Sequence, residues 1–286
     1  MVVHVPEHDR TAPYADEMQR RAVVTVPFDN GSVRMARVGP VATITIDRQT
    51  HLNALNDQVV QGLSTAADIA AADPDVRALV VTGAGDNFCA GADIGSVSQW
   101  NDEATARRGI TTVLEGLRAF ARIPKPVVAA VEGYAFGGGM ELALWCDIRV
   151  ASEDARLGMP EVKIGLFPGA GGSQLLPRLA GRSVALELML LGRPITGRRA
   201  FDLGLAAEVV PRGQALAAAT RMAGALAELA PLALGMIKKT QDAAWYPFDE
   251  ALKHETRLNA ELFATDDRRE GMAAFLDKRA PRWQGT

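Results

Sequence analysis

Two glycine-rich turns are the segments of this sequence whose residues could take part in chemistry. The first is FCAGADI at 88–94, and the second is GYAFGGGME at 133–141. Glycine allows the backbone to approach a ligand closely and to direct N–H groups at it. The glycines at 137–139 also precede a predicted helix, whose first N–H groups and dipole favour an anion. Two such turns at neighbouring strand ends could form an oxyanion hole, which stabilises the charge that develops on a carbonyl oxygen.

Two glutamates accompany these turns. Glu141 falls in the first turn of that predicted helix, and Glu161 follows twenty residues later in the segment GMPE. A purely structural interpretation stays open, because glycine runs between a strand and a helix often make only tight packing turns. A glutamate near the start of a helix also commonly complements the helix dipole. Spacing alone does not choose between these interpretations.

Several other catalytic patterns are missing. No GxGxxG follows a predicted strand, no GxxxxGK precedes Ser or Thr, and no GxSxG is present. These absences argue against a dinucleotide-binding turn, a phosphate-binding P-loop and a hydrolase nucleophile elbow. The four histidines, at 4, 8, 51 and 254, are isolated or separated by proline. We therefore expect no metal site.

The composition limits the classes of partner. Of 286 residues, 48% are hydrophobic and 23% are charged, and the formal net charge is −3. These values are ordinary for a soluble globular protein and give no reason to expect nucleic acid. Cys89 and Cys146 lack CxxC spacing, so we expect neither a disulfide framework nor structural zinc. No apolar run reaches membrane length and no signal-peptide pattern opens the chain, so we predict a cytoplasmic protein without membrane contact.

The elements that must position the turns follow an α/β pattern. We predict strands at 32–38, 41–47, 76–82, 127–131, 148–151 and 207–210, and helices at 57–72, 102–122 and 140–146. The first two strands form a hairpin at Gly39-Pro40, and Asn56 caps the first helix. Strands that alternate with helices indicate βαβ units and a mainly parallel sheet. We divide the chain into a flexible extension at 1–30, an α/β core at 31–210 and a helical region at 211–286.

Five blocks of this sequence, in order, resemble the crotonase superfamily. They are LNALN at 52–56, AGADI at 90–94, GYAFGGGMELAL at 133–144, MPEVKIGLFPGAGGSQ at 159–174 and FATDDRREGMAAFLDKR at 263–279. The match runs from about residue 33 to residue 283. It implies an α/β fold, a crotonase-like spiral of ββα units, with a helical C-terminal region that assists trimer formation. It also implies a homotrimer or a hexamer built from two trimers.

The resemblance assigns roles to the residues of the turns. Ala92 and Gly138 match the positions whose backbone N–H groups form the family's oxyanion hole around a thioester carbonyl oxygen. Glu141 and Glu161 match the two catalytic glutamates of enoyl-CoA hydratases. Glu141 would orient and deprotonate the water that attacks Cβ, and Glu161 would also hold that water and protonate Cα. Gly169 matches a position whose N–H helps to hold the water.

The implied activity is the hydration of a 2-enoyl-CoA to a 3-hydroxyacyl-CoA, by default in fatty-acid β-oxidation. One alternative is a Δ3,Δ2-enoyl-CoA isomerase, which commonly needs only the carboxylate at the position of Glu161. Another is a member that binds acyl-CoA or RNA without meaningful catalysis. A non-catalytic member would usually have lost one glutamate, whereas this sequence retains both. We therefore expect a hydro-lyase.

The resemblance also suggests contacts to coenzyme A, which carries the acyl substrate and is the only cofactor-like group that we expect. The implied CoA-binding residues are His51, Leu52, Ala90, Asp93, Ile94, Phe263 and Lys278. The last two match C-terminal positions that can reach CoA, sometimes from a neighbouring subunit. The sequence departs from the family at 48–51, which reads RQTH where Lys or Glu is common. That departure weakens any specific phosphate contact there, and His51 fits an exposed loop better than a catalytic base.

Overall fold

A computed structural model describes residues 24–286 of the chain. Its strands are β1 (Val24–Asp29), β2 (Val33–Val38), β3 (Val41–Ile46), β4 (Ala78–Gly83), β5 (Val127–Val131), β6 (Tyr134–Phe136), β7 (Ile148–Ser152), β8 (Arg156–Gly158), β9 (Ile195–Thr196) and β10 (Glu208–Val210). Seven of them form one sheet in the order β1-β2-β3-β4-β5-β7-β10, and the others form a second sheet in the order β6-β8-β9. The pairs from β3 to β10 in the large sheet are parallel.

Eleven helices accompany the strands in this part of the chain. They are α1 (Asp57–Ala72), α2 (Ile94–Val97), α3 (Glu103–Arg122), α4 (Gly138–Trp145), α5 (Gly172–Ala180), α6 (Arg182–Leu191), α7 (Gly197–Asp202), α8 (Ala215–Ala227), α9 (Pro231–Asp242), α10 (Phe248–Phe263) and α11 (Asp266–Leu276). Short 3₁₀ turns occur at Gln49–His51, Glu161–Ile164 and Ala243–Trp245. Within residues 24–286, no helix combines the length and apolar character that crossing a membrane requires.

The N-terminal hairpin confirms one prediction and corrects another. Strands β2 and β3 pair antiparallel through Val38 and Val41, and Gly39 adopts the positive φ of 56° that the turn needs. Strand β1 pairs antiparallel with β2, although the segment 1–30 was expected to be flexible. The alternation of apolar residues in VTVPFD explains why it can add an edge strand. Residues 1–23 of the expected extension lie outside the described residues.

Apolar residues alternate between the two faces of the central strands. Ile44, Leu79 and Val81 face the cluster that includes α1 and α3, whereas Val80 and its neighbours face the alanines of α8. Helix α8 therefore packs against one face of the large sheet. The predicted boundary at residue 211 assigns this helix to the C-terminal region. Beyond it, α10 packs mainly against α9, and α11 against α10.

Two successive βα units each contribute one strand to each sheet. Strand β5 joins the large sheet and β6 the small one, and β7 and β8 repeat the pattern. The prediction of a mainly parallel α/β spiral with C-terminal helices is confirmed. It missed β6, β8 and β9 because strands of two or three residues are too short to show a period. Strand β6 lies within the second glycine turn, and its Ala135 forms a bridge to Cys89 of the first turn.

Arg149 of β7 joins α4 to the segment after α7. Its side chain donates to the carbonyl oxygens of Ala143 and Cys146 at the end of α4 and to that of Leu205, at 3.2, 2.7 and 2.5 Å. Because Arg149 is 8% exposed, its removal would take a donor from each of these carbonyl oxygens, and within residues 24–286 only that of Ala143 keeps another, the N–H of Cys146. We expect Arg149→Met to lower the free energy of unfolding by roughly 3 kcal/mol, measured by urea denaturation.

The control is Arg34→Met, which removes a cation whose side chain is 55% exposed and pairs with Asp47 at 3.5 Å. We expect that change to cost less than about 0.5 kcal/mol, because solvent screens exposed ion pairs. Equal losses for the two variants would contradict a clamping role for Arg149.

Candidate active site

The two glycine-rich turns lie against each other at the carboxyl ends of β4 and β5. The N–H of Cys89 donates to the carbonyl of Tyr134 at 2.8 Å, and the N–H of Phe136 donates back to the carbonyl of Cys89 at 3.1 Å. A Cβ at Gly139 would lie 2.1 Å from that same Cys89 oxygen. Only glycine fits so close an approach. The sequence thus brings two turns that are 45 residues apart into one backbone ladder.

Two backbone N–H groups in this ladder lie close together and have no partner in the described chain. A Cβ built on Gly138 would lie 3.6 Å from the nitrogen of Ala92, so the two amides are neighbours. Gly138 is the first residue of α4, where an N–H has no partner in its own helix. Hydrogen bonds of Leu55 to Gly91 and of Asp93 to Leu55 fix the chain on both sides of Ala92. Among residues 24–286, neither amide N–H donates a hydrogen bond.

Glu141 is buried in the first turn of α4 and is held by backbone donors. Its side chain is 3% exposed, and Oε1 accepts from the N–H of Ala170 at 2.7 Å and of Gly172 at 2.9 Å. Burial raises the pKa of this carboxyl, and the two N–H groups partly offset that rise by favouring the ionised form. The second oxygen, Oε2, receives no hydrogen bond from the described chain and is available to a ligand.

Glu161 begins the 3₁₀ turn after β8 and has a different environment. Its Oε1 lies 3.0 Å from the position that a Cβ on Gly137 would take, beside the start of α4. Its Oε2 is sealed from solvent and has no hydrogen-bond partner. Burial raises the pKa of Glu161 to about 7, and the charge of Glu141 adds to the rise. An unpartnered, buried oxygen favours the protonated acid. Burial thus raises the pKa of both carboxyls, and only Glu141 has the N–H groups of Ala170 and Gly172 to oppose the rise.

The sequence model of the enoyl-CoA hydratase/isomerase family matches residues 37–286. The chain belongs to that family. It is 39% identical over 257 residues to a probable enoyl-CoA hydratase of Bacillus subtilis, with 86% of this chain and 95% of that protein covered. It is 38% identical over 252 residues to the 2,3-dehydroadipyl-CoA hydratase of Escherichia coli, with 88% and 98% covered. The prediction of an enzyme of this family is confirmed.

The fold agrees with solved structures of the family. A crystal structure of an enoyl-CoA hydratase from Bacillus anthracis superimposes with a TM-score of 0.85 at 32% identity, covering 89% of this chain and 100% of that one. An enoyl-CoA hydratase subunit from Geobacillus kaustophilus gives a TM-score of 0.84 at 40% identity, with 89% and 98% covered. The crotonase-like architecture is therefore the fold of this family member.

The segment at 169–172 supplies hydrogen-bond donors that the sequence analysis did not predict. The N–H groups of Ala170 and Gly172 reach Glu141. Gly169 is exposed, and a Cβ there would lie 3.4 Å from Ile110 of α3. Sequence reasoning missed both donors, although the run GAGG at 169–172 was the available signal. A water contact of Gly169 stays a prediction.

Four of the expected CoA residues lie beside the first turn. His51 is exposed, with its Nδ1 3.0 Å from Thr50 Oγ1, and Leu52 is 45% exposed. Ala90 donates its N–H to the carbonyl of Leu52 at 3.0 Å, which joins the two loops. Ile94 is 57% exposed next to them. Together they form a partly exposed rim beside the first turn.

Asp93 has a structural role in the enzyme. Its carboxylate pairs with Arg48 at 2.6 Å and accepts from the N–H of Ser96 at 3.1 Å, which caps α2. Arg48 and the capping bond hold the pKa of Asp93 below its usual range. The ion pair ties the loop before Leu52 to the first turn. A direct contact of Asp93 with CoA stays a prediction.

Phe263 and Lys278 lie on the C-terminal helices, away from the turns. Phe263 ends α10 and is 55% exposed, with the guanidinium of Arg268 over its ring at 5.3 Å. Lys278 is exposed just beyond α11 and has a positive φ of 53°. In the described part of the chain, α10 and α11 make their main contacts with α9 and with each other. A contact of either residue with CoA stays a prediction.

The predicted site residues lie outside the cavity between α1 and α3. A cavity of about 680 Å³ separates α1 from α3 and is lined by residues such as Gln61, Asp68 and Glu115. None of the residues predicted for the site lines it. Among residues 24–286, no cluster of three or more His, Cys, Asp or Glu could hold a metal ion.

Proposed function

We propose that this family member is an enoyl-CoA hydratase, which adds water across a trans-2-enoyl-CoA to give a 3-hydroxyacyl-CoA. The observation that carries the proposal is the pair of carboxyls beside two unpartnered N–H groups. Glu141 has two backbone donors that stabilise its ionised form against the effect of burial, whereas Glu161 has a sealed, unpartnered oxygen and a pKa of about 7. Hydration needs a base and an acid at once, and these two environments supply them.

The N–H groups of Ala92 and Gly138 bind the thioester carbonyl oxygen in this mechanism. The backbone hydrogen bonds between the two turns hold these N–H groups in place before the substrate binds. As water adds to Cβ, the electron pair of the double bond moves to Cα and onto the carbonyl oxygen. The amides stabilise this enolate because they already point to where the charge develops.

The two glutamates move the protons. Glu141 takes a proton from the water whose oxygen bonds to Cβ, and Oε2 is its free oxygen for that transfer. Glu161 holds the same water and donates its own carboxyl proton to Cα, which converts the enolate into the neutral thioester product. One proton is gained by Glu141 and one is lost by Glu161, and exchange with solvent restores both. The roles are assigned from the hydrogen bonds of the two carboxyls, since two backbone N–H groups stabilise the ionised form of Glu141 and no donor reaches Oε2 of Glu161.

Coenzyme A enters only as the carrier of the acyl group. The addition of water is neither an oxidation nor a reduction, so the proposal requires no further cofactor. We assign the CoA contacts to the rim formed by His51, Leu52, Ala90 and Ile94, with Asp93 behind it. We also assign Phe263 and Lys278 of the C-terminal helices to CoA binding. They would contact the CoA of their own subunit or that of a neighbouring subunit.

The proposed assembly is a homotrimer or a hexamer. Its support is the apolar surface of the C-terminal helices, where Phe248 is 76% exposed, Phe275 69% and Leu276 78%. Light scattering after size-exclusion chromatography measures the assembly directly. The cytoplasmic location stays a prediction.

The test is hydration of crotonyl-CoA and of a longer 2-enoyl-CoA, followed by loss of the conjugated thioester absorbance. We expect turnover of at least one ester, with a 3-hydroxyacyl-CoA identified by mass. Binding of both esters without turnover would overturn the hydratase assignment. Conversion of a 3-enoyl-CoA to the conjugated ester, without hydration, would instead identify an isomerase.

The pKa of Glu161 predicts the alkaline limb of the activity. Because burial raises that pKa to about 7, the protonated acid is present below this pH and is lost as the pH rises through it. We therefore expect kcat/KM for hydration to fall above pH 7, tenfold per unit at the limit. Initial rates between pH 5 and 9 check this. A rate that stays level to pH 9 would contradict the role of Glu161 as the proton donor.

A further inference from the structure

Trp145 connects the end of α4 to the backbone that holds Glu141. Its indole N–H donates to the carbonyl oxygen of Ala170 at 2.7 Å, and the N–H of Ala170 donates to Glu141 Oε1 at 2.7 Å. Residues 141 and 145 are four apart, so their side chains lie on one face of the helix. Helix α4 therefore holds the segment 170–172 at two points, through a carboxylate that accepts and an indole that donates.

The ring of Trp145 also packs on this segment. Gly171 has a φ of 112°, and a Cβ there would lie 2.6 Å from the indole Cζ2. A Cβ on Gly172 would lie 3.0 Å from Glu141 Oε1. No side chain fits at either glycine, so the backbone lies directly against the two side chains of α4. The start of α5 anchors the far side, because the N–H groups of Gln174 and Leu175 donate to the carbonyl of Gly171.

We propose that Trp145 is a positioning residue for Glu141, which holds the segment 170–172 so that two backbone N–H groups stay on the carboxylate. The proposal rests on the proposed function, since it takes Glu141 to be the base of the hydration reaction. Without the indole N–H, the peptide between Ala170 and Gly171 can rotate and displace the adjoining N–H of Ala170. Glu141 then keeps its burial but loses one fixed donor. Burial alone raises the pKa of a carboxyl, so the loss shifts Glu141 towards its protonated, inactive form.

The experiment compares Trp145→Phe with a matched control, Trp283→Phe. Trp283 also donates its indole N–H to a backbone carbonyl, that of Glu228 at 2.9 Å, but on the C-terminal tail. For Trp145→Phe we expect kcat to fall about tenfold or more, as small displacements of a catalytic group do. The KM should change little, and the acidic limb of kcat/KM should move to higher pH. The control should have the kcat, the KM and the acidic limb of kcat/KM of the wild type, even if its melting temperature is lower.

A second variant separates the hydrogen bond from packing. Site-specific incorporation of 3-benzothienylalanine at position 145 keeps the bicyclic ring and replaces the N–H with sulfur. We expect the same upward shift of the acidic limb, with a melting temperature close to that of the wild type. This variant also serves if Trp145→Phe does not fold.

Infrared titration of the Glu141 carboxyl, assigned by difference from Glu141→Gln, tests the inference without turnover. An upward shift in both variants supports it. If the wild type hydrates no ester, the proposed function fails, while this titration still decides the role of Trp145. An acidic limb and a carboxyl titration equal to those of the wild type in both variants overturn the inference, whatever happens to kcat.

Discussion

Glu141→Gln should lower kcat for hydration by about 10²- to 10⁴-fold, the range that general acid–base catalysis contributes. The amide cannot accept the proton of the attacking water. Its oxygen can still accept from the N–H groups of Ala170 and Gly172, so the fold around it should persist. The KM should stay within a few-fold, because the thioester carbonyl is bound by backbone amides in the proposal. Steady-state kinetics with a 2-enoyl-CoA measure both constants.

Glu132→Gln is the matched control for this variant. Glu132 also accepts a backbone N–H through its carboxylate, that of Ala215 at 2.8 Å, but it lies outside the paired turns. We expect its kcat to match the wild type. Glu161→Gln should be impaired as strongly as Glu141→Gln, and the double variant only slightly more, because both carboxyls serve one step. A kcat for Glu141→Gln within tenfold of the wild type would contradict the assignment of the base.

Strong local signals explain why much of the fold was predictable. The predicted strand at 127–131 matches β5 residue for residue, because VVAAV between Pro126 and Glu132 is buried on both faces. Asn56 caps α1 as expected, since its side chain accepts the N–H of Val59 at 2.9 Å. Each of these features depends on residues that are close together in the sequence, so it can be recognised from the sequence alone.

The parts that sequence reasoning missed depend on tertiary contacts. Strand β6 has three residues and exists because Cys89 and Arg156 lie on either side of it. Likewise, nothing local marks Trp145 as a partner of Ala170, since a tryptophan in an apolar helix fits ordinary packing equally well. Only the folded chain brings positions 25 residues apart into contact.

The same distinction applies to the candidate site. The glycine turns and both glutamates were found from residue types and family resemblance, and the structure brings them together. The difference in their hydrogen bonding was not predictable. It depends on which backbone N–H groups reach each carboxylate, and the donors to Glu141 come from a loop 29 and 31 residues away. Glu161 differs because no donor reaches its sealed Oε2.

Gly138→Pro tests the oxyanion hole by removing one backbone N–H. Proline is tolerated at the first position of a helix, and Gly138 holds that position in α4. Gly137 has φ 49° and ψ −119°, which is the mirror image of the extended conformation that is favoured before proline. Glycine has no Cβ and adopts both mirror-image conformations, so Gly137 can keep these angles before a proline. Losing one oxyanion donor costs about 10²- to 10³-fold in kcat. We expect a loss of that size, measured by steady-state hydration of a 2-enoyl-CoA.

Gly138→Ala supplies the control, because it adds a Cβ but keeps the N–H. That Cβ would lie 2.9 Å from Leu55 Cδ1, which is the end of a side chain and can move. We therefore expect Gly138→Ala to lose far less activity than Gly138→Pro, with similar melting temperatures for both. Equal losses would assign the effect to steric pressure on Leu55. A proline variant with nearly full activity would mean that the N–H of Gly138 does not stabilise the enolate, since the ring leaves no donor in its place.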